Sequence, residues 1–164
     1  MIVKGWTLLF HAEIVGQLRR LSQATERARK ADPRNFRANA NVKLLAAIAR
    51  LILEVVPADP GRPEYRLGNS LGAEYRNWFR VKFGGRFRLF FRYDGRARLI
   101  VFAWVNDEQT LRKRGAKSDP YAVFRAMLKR DNPPADWDAL VKAAGQVPAD
   151  LAMAIEGVSE SDEG

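Results

Sequence analysis

Between Trp78 and Val105 the chain follows a two-residue period, which a strand satisfies and a helix does not. Phe79, Val81 and Phe83 alternate with Arg80 and Lys82. After Gly84-Gly85, the residues Phe87, Leu89 and Phe91 alternate with Arg86, Arg88 and, past Phe90, Arg92. A hairpin follows, and its register can be argued. Directly opposed residues share a face. A two-residue loop would oppose Lys82 to Phe87 and mix cation with core. One more loop residue opposes Lys82 to Arg88 and Val81 to Leu89. A one-residue slip flips every side chain, so a three-residue loop or an equivalent bulge is expected. Arg80, Lys82, Arg88 and Arg92 then share one face with Phe90. Tyr93-Asp94-Gly95-Arg96 reads as the next turn, and Asp-Gly favours a tight one. The strand after it, RLIVFAWV (98–105), is apolar on both sides and belongs in the middle of a sheet, covered on both faces for part of its length.

The flanks are helical. Residues 2–9 form a short strand. From about His11 to Lys30, Ile14, Val15, Leu18 and Leu21 recur at helical spacing. Asp32-Pro33 breaks and restarts the chain. A second helix then runs to about Val56 over a stripe of Leu44, Leu45, Ile48, Leu51, Ile52 and Val55. The short link makes the two an antiparallel pair. Residues 57–72 are a divider rich in Pro and Gly. Beyond the sheet, Ser118 or Asp119 caps a helix with Pro120 in its first turn, and Asp136 caps another. The expected fold is a single α+β domain over 1–146, ordered β-α-α-β-β-β-α-α, with an antiparallel sheet packed on the helix pair. Residues 147–164 are acidic and rich in small side chains, and are expected to be a disordered tail.

Charge is concentrated on that framework. Residues 76–117 hold twelve of the 28 Lys and Arg against three acids, Asp94, Asp107 and Glu108. Their net charge of +9 equals that of the whole chain, so the remainder is neutral. Rigid cations beside apolar anchors suit a polyanion held in one geometry, and therefore nucleic acid. A solvated strand face is the competing reading. Without Cys and with one His, thiol catalysis and His/Cys metal clusters are excluded. No E-x-x-H pattern and no Walker loop occurs. No apolar run reaches the ~20 residues of a membrane span, and the first residues make a poor signal peptide. A soluble cytoplasmic protein with neither metal nor cofactor is expected.

Cations without a metal have one chemistry open to them on RNA. The 2′-hydroxyl attacks its own 3′ phosphate, leaving a 2′,3′-cyclic phosphate. Preorganised Arg and Lys stabilise the extra negative charge. A Lys crowded by Arg has its ammonium form disfavoured and so can serve as a base; Lys82 fits that description. Phe90, Tyr93 or Trp104 offer rings to bases, though core packing is the better reading of Trp104. The polar segment after the last strand adds Asn106, Asp107, Thr110, Arg112, Lys113, Arg114 and Lys117. His11, alone, reads as structural unless partners are positioned around it.

The blocks KGWTLLFH, KLLAAI, RLGNSLG, WFRVKFGGRFRLFFRY, WVNDEQTLRKRGAKSDPY, VFRAMLKR and NPPADWDAL, spread over roughly residues 4–141, resemble the YhaV family of toxins from type II toxin–antitoxin systems. That family lies within the RelE/ParE superfamily, so the resemblance implies a RelE-like domain. It also implies a metal-independent endoribonuclease that cuts mRNA, often on the ribosome. The implied partner is a PrlF-type antitoxin, whose complex alone would contact operator DNA. By motif, Arg80 and Lys82 match the first basic strand of superfamily sites and Arg88 the central Arg. After the last strand the pattern departs from the superfamily's Arg-rich block with Tyr. Arg112 or Lys113 substitutes, or His11 enters. The residue reading and the resemblance together give Arg88, Lys82, Arg80, Arg112 and Lys113 as the expected catalytic set, and the residue reading gives Arg86, Arg92, Asn106, Arg114, Lys117 and Phe90 as the expected RNA-binding set. The superfamily also contains gyrase poisons, which keeps open a non-catalytic toxin that binds gyrase or the ribosome through the same face.

Overall fold

The computed structural model describes residues 1–162. Two strands open the chain, β1 (Ile2–Val3) and β2 (Trp6–His11), joined by Lys4-Gly5 with positive φ at both. His11 then caps α1 (Ala12–Ala31), its Nδ1 accepting from the Glu13 backbone N–H at 3.2 Å. The chain does not restart at Pro33 as a helix. A 3₁₀ turn covers Phe36–Ala38, and Asn39 caps α2 (Ala40–Arg50) by accepting from the Asn41 and Val42 amides. The helical path continues through a π-helical stretch, Leu51–Val55, into α3 (Val56–Ala58).

After the divider come β3 (Phe79–Phe83), β4 (Phe87–Asp94) and β5 (Leu99–Val105). Val81 opposes Leu89 and Lys82 opposes Arg88, the register argued from the alternation. Gly84 and Gly85 both take positive φ in the three-residue turn. Asp119 caps α4 (Pro120–Lys129) and Asp136 caps α5 (Trp137–Ala143), as their sequences predict. A two-residue β6 (Ala144–Gly145) follows, then α6 (Ala149–Asp162).

The strand order is β1-β2-β5-β4-β3, with β6 pairing β2. β5 is central, as its two apolar faces require. One pair departs from the expected antiparallel sheet: β2 runs parallel to β5, Leu8 beside Ile100. A strand followed by two helices and a divider can return in either direction, and the sequence of β2 does not encode which.

Both faces are covered. On one, Leu8, Phe10, Leu89, Phe91 and Phe102 pack against Ile14 and Leu18 of α1 and Leu45, Ile48 and Ile52 of the second helix. On the other, Phe90, Val101 and Trp104 pack against Tyr121, Phe124 and Leu128 of α4 and Leu140 of α5. The expected tail is a correction. Leu151 and Ile155 of α6 are buried in the first cluster with Val147, and Asp150 pairs with Arg19. The domain therefore runs on through α6, while residues 163–164 lie outside those described. The acidic, small-residue composition hid apolar positions at 151, 155 and 158, spaced for one helical face.

Candidate nucleic-acid interface

The alternation of β3 and β4 sends Arg80 and Arg88 to the face beneath α4. Both are nearly buried, at 8% and 6% exposure. They converge on one atom. The hydroxyl oxygen of Tyr121, in the first turn of α4, accepts from Arg80 Nε at 2.9 Å and Arg88 Nε at 3.1 Å. Arg80 Nη1 also donates to the carbonyls of Glu64 and Arg66, and Arg88 Nη1 to those of Gly85 and Phe87. Each guanidinium is held by three bonds and cannot swing. Among the described residues, Trp78 Nε1 is the one side-chain nitrogen or oxygen sealed from solvent without a partner. The Nη2 atom of each arginine makes none of these bonds.

A third arginine meets the same tyrosine. Arg112 lies over the Tyr121 ring, 4.9 Å from its centroid, and its Nη1 pairs with Asp119 at 2.6 Å. Asp119 also accepts from the amides of Lys113 and Tyr121, so one buried carboxylate caps α4 and fixes the incoming loop. Asn106, almost fully buried, ties that loop to the hairpin: its Oδ1 accepts from the Arg88 amide, and its Nδ2 donates to the carbonyls of Arg86 and Thr110. Arg86 Nε closes the arrangement on the Arg112 carbonyl at 3.1 Å.

Around this rigid base stand solvent-facing cations. Lys82 is exposed, opposite Arg88 in the ladder. Arg86, Lys113, Arg114 and Lys117 are exposed on the hairpin turn and the loop that folds against it. The expected residues thus separate by position. Arg80, Arg88 and Arg112 share Tyr121, while Lys82, Arg86, Lys113, Arg114 and Lys117 surround them. Asn106 is a buried strut and not a ligand at the surface.

Two further expectations are corrected. Phe90 has no exposed face for a base: it is fully buried, stacked 4.4 Å from Phe124 and 5.8 Å from Trp104. The aromatic among the cations signalled that this face is covered. Arg92 sits toward the other end of β4, between the Trp78 and Trp137 rings, with Nη1 on the Ala135 carbonyl. Burial lowers its pKa, partly opposed by Asp136, and its contacts anchor the start of α5.

His11 is likewise structural. Burial lowers its pKa, with Glu13 opposing, and its cap bond requires an unprotonated Nδ1. Tyr121 was missed as a site residue because one tyrosine in an apolar helical stripe looks like core, which its ring also is. No group of three or more metal-ligating side chains lies together among the described residues.

Over residues 8–145 the chain matches the family Toxin_YhaV, described as a toxin with endonuclease activity, of toxin–antitoxin system. It is 44% identical over 142 residues, 85% of this chain and 92% of the relative, to a protein of Escherichia coli K12 named ribonuclease toxin YhaV. Proteins named toxin YhaV from the O157:H7 and O6:H1 strains match to the same extent. No solved structure is a significant match.

Proposed function

The chain belongs to the YhaV family of toxins with endonuclease activity, and from that premise we propose that it cuts mRNA by a metal-independent mechanism at the arginine-tyrosine cluster. The observation that carries this reading is the pair of guanidiniums, Arg80 and Arg88, both held on the Tyr121 oxygen and surrounded by the exposed Lys82, Arg86 and Lys113. The relative in Escherichia coli K12 bears the name of a ribonuclease, which supports RNA as the substrate.

The step balances without a metal. The 2′ oxygen bonds to phosphorus, the bond from phosphorus to the 5′ oxygen breaks, the 2′ proton leaves to a base and the 5′ oxygen gains one. Charge accumulates on the non-bridging oxygens. Donors fixed beforehand stabilise it without reorganising, and removing one such donor typically slows turnover by about 10²–10³. Arg88 is assigned to those oxygens and Arg80 to the phosphate beside them. Lys82, exposed opposite Arg88 in the ladder, adds a mobile ammonium beside the reacting phosphate. Arg112 and Lys113 extend the site, and Arg86, Arg114 and Lys117 hold flanking phosphates. The setting is the cytoplasm, with mRNA engaged on the ribosome, and the antitoxin is of the PrlF type and brings operator DNA into reach.

Purified protein incubated with RNA, with and without EDTA, tests the proposal. The expected result is cleavage in both, with a 2′,3′-cyclic phosphate end. Arg88→Ala should abolish cutting while keeping the fold. Cleavage that needs added metal, or wild-type cutting by Arg88→Ala, overturns it. Intact RNA with tight binding whose log–log salt slope is about −0.7 per neutralised phosphate would instead support a toxin that only binds through this face.

A further inference from the structure

None of these side chains lines a broad groove on the helical side of the molecule. That groove, of about 990 Å³, lies on the other side, where α1, α2 and α6 meet. Its lining is apolar along α2 and its continuation: Val42, Leu45, Ala47, Leu51 and Val55, with Phe83 as well. Met153 of α6 also lines it and is 73% exposed, an open position for a large apolar side chain. The π-helical stretch Leu51–Val55 forms part of the wall, a geometry found mostly as short pieces and frequently at functional sites.

The rim is basic. Arg29, Arg37, Lys43 and Arg50 line it against two acids, Glu26 and Asp150. Both acids are already engaged, Glu26 by Arg29 at 3.0 Å and Asp150 by Arg19 at 2.7 Å. Arg37 and Lys43 have no carboxylate partner among the described residues. Arg29 and Arg37 both lie over Phe36, at 5.0 and 5.5 Å from its centroid.

We propose that this groove receives the antitoxin, which lays an amphipathic helix along it, apolar face on the floor and acidic flank against Arg37 and Lys43. The proposal rests on family membership, which supplies a protein partner, and on the match between an apolar floor and unpaired cations at its rim. Helices seated in grooves are anchored by side chains at i, i+3 or i+4, and i+7, and a flexible Met at the lip adapts to them. A nucleic acid would leave the apolar floor unused. The groove also leads to the basic site. Phe83 is the chain neighbour of Lys82 and stacks on Phe87 at 5.5 Å, at the base of the hairpin turn. An occupant that continues past Phe83 emerges beside Lys82 and Arg86, so a partner anchored on the far face reaches round to shield the phosphate site.

The test uses the full chain and the antitoxin encoded beside it. Ala47→Arg fills the floor, and the double variant Arg37→Glu/Lys43→Glu reverses the rim. Each is expected to remain toxic when expressed alone, to escape rescue by the antitoxin, and to bind it at least tenfold more weakly in a pull-down titration. Toxicity without antitoxin reports the nuclease reading separately, since a harmless wild-type chain would sink that reading and leave the binding titration to decide this one. Rescue and affinity at wild-type levels in both variants overturn the proposal. So does a change confined to self-association, measured by size-exclusion chromatography of the toxin alone, which would make a second copy the occupant. If Ala47→Arg loses its fold, the rim variant decides.

Discussion

Tyr121→Phe removes one oxygen and leaves the ring. The edge-on contact with Phe90 at 5.8 Å and the platform under Arg112 persist. What is lost is the shared acceptor of Arg80 Nε and Arg88 Nε. A hydrogen bond to a charged group contributes about 1.5–3 kcal/mol, and removing one partner strands the other in a buried setting. The two bonds meet at one atom and do not add fully, so the expected loss is about 3 kcal/mol. At about 2–4 °C per kcal/mol for a chain of this size, Tm falls by about 6–12 °C. Each guanidinium keeps its carbonyl bonds but loses the one that sets its tilt. Because a misplacement of about 1 Å can cost on the order of 10²-fold, cleavage should fall by about 10- to 100-fold. Thermal unfolding and single-turnover RNA cleavage over a pH range measure both. A tyrosine that only positions the arginines leaves the shape of the pH–rate profile unchanged. An unaltered Tm with wild-type cleavage would refute the hub, and loss of one limb of the profile would make the phenol a proton carrier instead.

His11→Asn keeps an N-cap acceptor but cannot titrate. In the wild type, burial depresses the His11 pKa, so the unfolded chain binds the proton more readily; the His11 contribution is whole above about pH 6.5 and declines as pH falls through the folded value. Urea unfolding at pH 7.5 and 5.5 should show that decline in the wild type and a smaller one in the variant; equal declines would remove His11 from the account. Ile155→Ala should cost about 2–5 kcal/mol, because the side chain is fully buried between α6 and the core, whereas no change in stability would mean that α6 does not pack. Lys82→Ala should weaken RNA binding evenly across sequences and make the log–log salt slope shallower by about 0.7; an unchanged slope would take Lys82 off the phosphate backbone.

The hairpin register was legible because cations and apolar residues alternate without error on both sides of Gly84-Gly85, and only one loop length keeps them apart. The caps at Asp119 and Asp136 were legible for a similar reason: a local side chain meets a local orphan amide. What depends on distant partners was not. Alternation separates the faces of a sheet but does not say that α4 lies over one of them. Arg80 and Arg88 therefore read as solvent-facing, although Phe90 between them argued for cover. Tyr121 joins them from 41 and 33 residues away, and no local pattern encodes such a meeting. Asn106 was counted as a loop polar group for the same reason. Its three partners lie on the hairpin and at Thr110.

The parallel pairing of β2 with β5 constrains how the chain is made. Leu8 finds its neighbour only at Ile100, and Gln17 exchanges hydrogen bonds with the backbone of Val105. Emerging from the ribosome, the first thirty residues have no sheet to join until the hairpin strands and β5 have followed them out. Contacts so far apart are slow to close, and domains of this length expose apolar surface meanwhile. The guanidinium cluster needs α4, which comes later still. A growing fragment therefore lacks the meeting of Arg80, Arg88 and Tyr121 until the helix after the sheet has been made.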